Sequence, residues 1–238
     1  MKKNEKPRLG RPKDVHDTDV RCLHAAELRF ASVGFDGATL RDIAKDIQVT
    51  SATIIHHFGT KERLYGQVME RLRRSLDEYL TYPDEVSVDS VIDIFEQFLD
   101  WTFANQHYAQ LILRELMENR SRVPKARRLY LHSFTDRYVK YIQAGQEAGL
   151  FRRMDGELFA FYTFGAITHF SAAVPTVSRM LNNSEDETIA RFKTTLKDTV
   201  RSALSLATAA APAAAVSSRS IEAPTAATAP ATARGRST

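Results

Sequence analysis

Small and polar side chains cluster at the start of a short helical segment near residue 50. They are Ser51, Ala52, Thr53 and His57. Ile54 and Phe58 of the same segment are four residues apart and therefore point together to the opposite side, towards a core. The first turn of a helix presents unpaired N–H groups that attract phosphate, and short side chains there can reach base edges in a major groove. This pattern predicts contact with nucleic acid.

A second helix must hold this segment, because eight residues cannot bury a core alone. An apolar stripe at helical spacing precedes it and consists of Leu40, Ile43, Ala44 and Ile47. Thr39 can cap the first turn of that helix, and Thr50 or Ser51 can cap the next. The stretch 39–58 is therefore predicted to form two short helices around a tight turn.

The N-terminal 13 residues are strongly basic, with six Lys or Arg against Glu5 and a net charge of +5. Residues 208–238 carry +2 of the total of +4, so the body between them carries −3. The stretch 8–13, RLGRPK, resembles the Gly-Arg-Pro core of AT-hook arms. Such arms place an arginine in the narrow minor groove of A·T-rich DNA, which makes Arg8 and Arg11 candidates. A solubilising basic tail is the alternative interpretation.

Helical periodicity continues through most of the chain. A first helix is predicted over 14–33, with Gly34 ending it and Gly37 in the turn, and Thr60 is predicted to cap a fourth helix. Pro175 is expected to bend or end the most apolar segment. The helices predicted after the second one are 51–58, 60–79, 88–102, 108–116, 124–148, 157–174 and 184–206. Residues 1–13 and 208–238 lack apolar periodicity and are predicted to be disordered.

Several functional classes lack their sequence signals. There is no run of 18 uninterrupted apolar residues and no secretory h-region, so no membrane association is expected. Cys22 is the only cysteine, which fits the reducing cytoplasm and a buried thiol. No phosphate-binding loop, nucleophile elbow or metal-ligand spacing is present, and His56 and His57 point about 100° apart on a helix. The sequence therefore predicts no enzyme, no cofactor and no metal.

Residues 15–66 resemble the TetR family of bacterial transcription regulators. The matching residues are Gly34, Phe35, Thr39, Arg41, Asp42, Ile43, Ala44, Val49, Thr53, Ile54, His57, Phe58, Lys61, Glu62 and Leu64. A helix-turn-helix spacing is common by chance, whereas this whole string is specific. Beyond residue 66 the resemblance is one of architecture only.

The resemblance implies an all-α fold of about nine helices in defined parts. A basic arm (1–13) would precede a three-helix helix-turn-helix DNA-binding domain (14–62). A helical effector-binding and dimerisation domain (63–207) and a disordered tail (208–238) would follow.

The resemblance also assigns contacts to single positions. The expected DNA-contacting set is Arg8, Arg11, Thr39, Arg41, Thr50, Ser51, Ala52, Thr53, Ile55, His56, His57 and Lys61. Thr39, His57 and Lys61 would contact phosphates, whereas Arg41 would contact a guanine or the backbone. Residues 51–53 would face base edges. A solvated helix surface is the simpler interpretation of each position.

Two positions depart from the family pattern. Gln48 occupies the turn position where glycine is usual, so the turn either differs or holds a strained left-handed residue. Ile55 stands where a phosphate-contacting tyrosine is usual. The basic arm would then compensate for the missing contact, or Ile55 would touch a thymine methyl group.

The resemblance implies a homodimer on a palindromic double-stranded DNA operator, with half-sites about 34 Å apart. Helices 157–174 and 185–206 of each subunit would form a four-helix bundle, which their apolar surface supports. A small-molecule effector bound in the C-terminal half would change the spacing of the DNA-reading helices. Its expected lining is Phe98, Phe103, Phe134, Tyr138, Tyr162 and His169, which favours an apolar or aromatic effector. An ordinary packed core is the alternative for these residues.

The most favoured function is thus a sequence-specific DNA-binding regulator, a repressor by the family's majority behaviour. Two alternatives remain open at this point. An enzyme would show saturable turnover that a pocket substitution abolishes. A non-specific DNA-compacting protein would bind any duplex with similar affinity and a steep salt dependence.

Overall fold

The computed structural model describes residues 15–118 and 132–206, and every regular element in these ranges is a helix. The helices are α1 (Val15–Gly37), α2 (Leu40–Asp46), α3 (Ser51–Phe58), α4 (Lys61–Tyr79), α5 (Val88–Ala104), α6 (Gln106–Glu118), α7 (His132–Glu147), α8 (Gly156–Leu181) and α9 (Glu185–Leu204). The predicted all-α fold is confirmed. The basic arm, the tail and the first part of the helix predicted over 124–148 lie outside the described residues.

Three consecutive helices begin at a threonine whose side chain caps the first turn. Thr39 Oγ1 accepts a hydrogen bond from the amide of Asp42 at 3.1 Å. Thr50 and Thr60 do the same for α3 and α4, at 3.1 and 3.3 Å. These bonds satisfy N–H groups that the first turn leaves unpaired. The capping roles predicted for Thr39 and Thr60 are confirmed, and Thr50 rather than Ser51 caps α3.

Helix α1 is interrupted where its sequence turns to glycine. Gly34 has a φ of 76°, a left-handed value that favours glycine, and one further helical turn follows it. The predicted end of the helix near residue 33 therefore coincides with this break.

Helix α4 connects the first three helices to the rest of the fold. Its stripe of Leu64, Val68, Leu72 and Leu76 is completely buried. Because these residues recur every four positions, they form one narrow ridge that packs against α1 on one side and α5 on the other.

Helix α8 lies at the centre of the C-terminal half and contacts α5, α6, α7 and α9. By length and composition alone it is the one helix in the described ranges that could cross a membrane, and half of its most apolar stretch is buried in the fold. Pro175 does not end it, which excludes one of the two predicted outcomes. The helix continues to Leu181 because Val174 and Ser178, on either side of the proline, are buried and hold the next turns against the core.

Helix α9 packs along α5 through Leu196, Val200 and Leu204, which are buried. Three ion pairs flank this stripe, and they join Lys193 to Asp100 at 2.6 Å, Lys197 to Glu96 at 2.8 Å and Arg201 to Asp89 at 2.8 Å. Solvent-exposed pairs of this kind each contribute little to stability. The apolar stripe therefore fixes the position of α9, and the ion pairs favour its register.

Candidate nucleic-acid interface

Helix α3 has a buried face and an exposed face, with half-buried residues between them. Ile54 is fully buried and Phe58 is 5% exposed, so both anchor the helix in the core. Ala52 and His56 are exposed on the other side, and Ile55 is 52% exposed. Ser51 and Thr53 are half-buried, and the Thr53 hydroxyl is hydrogen-bonded to that of Thr50 at 2.9 Å. An anchored helix with small exposed groups at its start has the geometry that entry into a major groove requires.

The turn between α2 and α3 contains a non-glycine residue in a left-handed conformation. Gln48 has a φ of 59°, as one of the two sequence-based alternatives predicted. Its amide donates to the carbonyl of Lys45 at 3.2 Å, and the amide of Val49 donates to that of Ala44 at 2.9 Å. These two bonds form the Schellman arrangement that glycine usually completes. A residue with a Cβ atom is strained there by about 1–2 kcal/mol.

Helix α1 holds this turn with two arginines. Arg21 donates to the carbonyl oxygen of Ile47 at 2.8 Å. Arg29 forms a two-pronged contact with Asp46, at 2.7 Å to Oδ1 and 2.6 Å to Oδ2. Both contacts reach the C-terminal end of α2 and the residue after it. These contacts therefore fix the position of α3 relative to α1, because they hold the turn that precedes α3.

Arg41 and Lys45 are exposed on α2, one helical turn apart. They line an open crevice of about 660 Å³ between α2 and the start of α3, together with Thr50 and Ser51. Asp42 lines the same crevice, so the two cations and the N-terminus of α3 face one carboxylate, and the excess positive charge suits a phosphate backbone. Lys45 was missed in the sequence analysis, although its position four residues after Arg41 on one helix was the available signal.

Two of the expected phosphate contacts have partners within the fold. The Lys61 ammonium donates to the carbonyl oxygens of Phe35 at 2.9 Å and Ala38 at 3.1 Å, and it lies 4.3 Å from the centre of the Phe35 ring. His57 Nδ1 lies 2.7 Å from Asp19 Oδ1 of α1. Lys61 therefore ties the start of α4 to the end of α1, and His57 ties α3 to α1. Their contact with phosphate stays a prediction, as do the roles of Arg8 and Arg11, which lie outside the described residues.

A buried carboxylate lies where α1, α4 and α6 meet. Glu27 is 1% exposed, and its Oε1 accepts a hydrogen bond from the Tyr108 hydroxyl at 2.9 Å and lies 3.4 Å from Arg71 Nε. Its Oε2 lies 3.4 Å from His24 Nδ1 and 3.8 Å from His107 Nε2. Burial raises the pKa of Tyr108 and lowers that of His107, which disfavours a charge on either ring. A single buried acid thus joins α1 to α4 and α6.

The six residues expected to line an effector pocket separate into two groups. Phe98, Phe134 and Tyr138 are buried in an aromatic cluster, and half-buried Phe103 packs edge-on against Phe170. Tyr162 is 61% exposed and His169 is exposed, so these two lie on the outside of α8. One chain therefore does not bring all six side chains together, and their role in binding an effector stays a prediction. The sequence of an almost wholly apolar helix does not reveal which side faces the core.

The described ranges offer neither a metal site nor a reactive thiol. No group of three His, Cys, Asp or Glu there could hold a metal ion. Cys22 is buried, and burial raises the pKa of its thiol, with Asp19 adding to the shift. A protonated, enclosed thiol is a poor nucleophile.

Comparisons with known proteins agree with this geometry. The model of the family described as bacterial regulatory proteins, tetR family, matches residues 23–68. The transcriptional repressor SCO4008 of Streptomyces coelicolor is 24% identical over 190 residues, which are 79% of this chain and 96% of that protein. The repressor AcnR of Corynebacterium jeikeium is 32% identical over 65 residues, only 27% of this chain and 34% of AcnR.

Similarity at the level of structure extends over both halves. A tetR-family regulatory protein from Rhodococcus RHA1 superposes with a TM-score of 0.58 at 22% identity, covering 78% of this chain and 98% of that one. The match to a family of regulatory proteins and the similarity to a repressor over most of both chains identify a DNA-binding transcription regulator rather than an enzyme. Residues 23–68 thus match the tetR family of bacterial regulatory proteins, and the rest of the described chain is similar to such proteins in fold.

Proposed function

We propose that the protein is a homodimeric repressor that binds a palindromic operator in the cytoplasm and is released by a small apolar or aromatic effector. The named repressors among its relatives support the direction of regulation. The functional division expected at residues 62 and 63 separates the DNA-reading helices from the part that dimerises and binds the effector.

The observation that carries DNA recognition is the exposed face of α3 beside two cations of α2. Arg41 and Lys45 would contact the backbone or a guanine while Ser51, Ala52 and Thr53 approach base edges. Ile55, which is more than half exposed, has the position and chemistry to contact a thymine methyl group. On the basic arm, Arg8 and Arg11 would add minor-groove or phosphate contacts.

The apolar outer face of α8 supports the dimer. Leu158, Phe161 and Tyr162 are 66%, 65% and 61% exposed, and Met180 near the other end is 80% exposed. Tyr162 and His169 are seven residues apart and therefore share a side of the helix. Several large apolar side chains exposed along one helix are typical of an interaction surface, and a second copy of α8 with α9 would bury them in a four-helix interface.

The decisive experiment is fluorescence anisotropy with the full chain and a duplex taken from upstream of its own gene. A scrambled duplex at about 0.15 M salt serves as control, because non-specific binding weakens steeply with salt. Tight binding to the first duplex only is the expected result. Equal binding to both duplexes would favour a non-specific DNA-binding protein. The same titration with a variant lacking residues 1–13 measures the contribution of the arm from the change in salt slope.

A further inference from the structure

Two buried phenol groups in the C-terminal half lack hydrogen-bond partners. Tyr138 on α7 is completely buried, and Tyr82 lies on the loop between α4 and α5. Neither hydroxyl has a partner in the part of the chain that the structure describes. Burial raises the pKa of Tyr82 to about 12 and that of Tyr138 well above its usual range. Both groups therefore remain neutral hydroxyls with a proton to donate.

Other enclosed tyrosines of the fold are satisfied. The hydroxyl of Tyr65 donates to Glu115 at 2.5 Å, and that of Tyr108 donates to Glu27 at 2.9 Å. Tyr141, on the same helix as Tyr138, donates to the carbonyl oxygen of Glu85 at 2.9 Å and lies 2.8 Å from Ser90 Oγ. A buried hydroxyl without a partner costs about 1–3 kcal/mol. Two of them in one region therefore require a physical explanation.

The surroundings of Tyr138 are aromatic. Its ring centre lies 5.0 Å from that of Phe95 and 4.9 Å from that of Phe164. Thr163 adjoins the phenol and slightly offsets the rise in its pKa that burial causes, but the Thr163 hydroxyl donates to the carbonyl oxygen of Phe159 at 2.6 Å and is outside hydrogen-bond geometry with Tyr138. The Tyr82 ring centre lies 6.0 Å from that of Tyr141 and 4.6 Å from the guanidinium of Arg137, and both of these residues flank Tyr138 on α7.

We propose that this region between α5, α7 and α8 binds a small uncharged aromatic carbonyl compound. Its oxygen accepts a hydrogen bond from Tyr138, and Tyr82 supplies a second donor. Aromatic walls favour an aromatic ring. A neutral carbonyl loses much less hydration free energy on burial than a carboxylate. The inference rests on the proposed effector-responsive function and adds the chemical class of the effector and the residues that select it.

Matched ligand pairs test the hydrogen bond directly. Acetophenone and benzophenone are compared with ethylbenzene and diphenylmethane, in which a methylene group replaces the carbonyl, by calorimetric titration of the full chain. The ketones should bind about three- to tenfold more tightly than their hydrocarbons. Tyr138→Phe should remove this advantage and leave hydrocarbon affinity unchanged, and Tyr82→Phe should reduce it. Tyr79→Phe, at an exposed tyrosine at the end of α4, is the control and should change nothing.

Thermal unfolding without ligand tests the main alternative, an ordered water that joins the two hydroxyls. If the hydroxyls await a ligand, Tyr138→Phe removes an unsatisfied group and should raise the melting temperature. A lowered melting temperature together with equal affinity for ketone and hydrocarbon would overturn the proposal. Absence of binding by both ketones would overturn it as well.

Operator binding separates this inference from the proposed function. The unliganded Tyr138→Phe variant should bind the upstream duplex as the native chain does, and the ketones should release only the native chain. Selective ketone binding without any operator preference would refute the repressor and retain the ligand site. Operator preference with no ketone selectivity would refute the ligand site and retain the repressor.

Discussion

Helices α3 and α8 both present an exposed face, and the two faces differ in chemistry. The outer face of α3 is short and carries small and polar groups with a single exposed isoleucine. The outer face of α8 belongs to a 26-residue helix and carries Leu158, Phe161, Tyr162 and Met180. A polar, hydrated duplex suits the first surface, and a second apolar helix suits the second. The chemistry of an unpaired face thus indicates the class of its partner.

The largest effect is expected from placing a charge on the apolar face of α8. Phe161→Asp should weaken dimerisation by about 2–4 kcal/mol, because the carboxylate would lose its hydration in the interface and the aromatic contact would be lost. Sedimentation velocity across a concentration series measures the change. Gln143→Asp, at an exposed position of α7, is the matched control. An unchanged monomer–dimer equilibrium would assign the face of α8 to another partner.

A smaller effect is expected at the polar surface beside α3. Arg41→Ala should weaken operator binding by about 1–3 kcal/mol and relax sequence preference, because a base or backbone contact would be lost. Anisotropy titrations with the operator and the scrambled duplex measure both quantities. Arg153→Ala removes the same charge from the exposed loop before α8 and should have little effect. Equal losses in both variants would mean that only net charge matters.

The smallest effect, and one of opposite sign, is expected in the turn before α3. Gln48→Gly should raise the free energy of unfolding by about 0.5–1 kcal/mol, since relief of left-handed strain exceeds the added chain entropy of glycine. Urea denaturation measures it. Gln110→Gly, at an exposed position within α6, should instead destabilise by about 1 kcal/mol. A destabilised Gln48→Gly variant would show that the glutamine side chain itself supports the turn.

Features of this fold that depend on residues close in sequence could be predicted. The caps at Thr39 and Thr60 follow from a short hydroxyl beside an apolar period, and the left-handed Gln48 was one of the two conformations that its place in a tight turn predicted. These features depend on neighbours within four residues. The same locality explains why the family motif is readable along residues 23–68.

Features that depend on distant partners were not predictable. The inward or outward direction of Tyr162 depends on which side of α8 the other helices cover, and the periodicity of an apolar helix does not encode this. The continuation of α8 past Pro175 depends on buried anchors on both sides of the proline. The burial of Glu27 depends on groups brought by α4 and α6 from 44 and 81 residues away. Tyr82, on a loop, carried no periodic signal at all.

The C-terminal end of α1 has a mechanical consequence. Arg114 of α6 donates to the carbonyl oxygens of Ala31 and Ser32 at 2.8 Å each, and Lys61 of α4 bonds to those of Phe35 and Ala38. Helices α4 and α6 therefore both hold one short stretch of backbone, which can act as a pivot for α1. From Ser32 to Arg21, which holds the turn before α3, the helix spans about 17 Å. A tilt of about 5° at this pivot displaces the Arg21 end by about 1.5 Å along that lever.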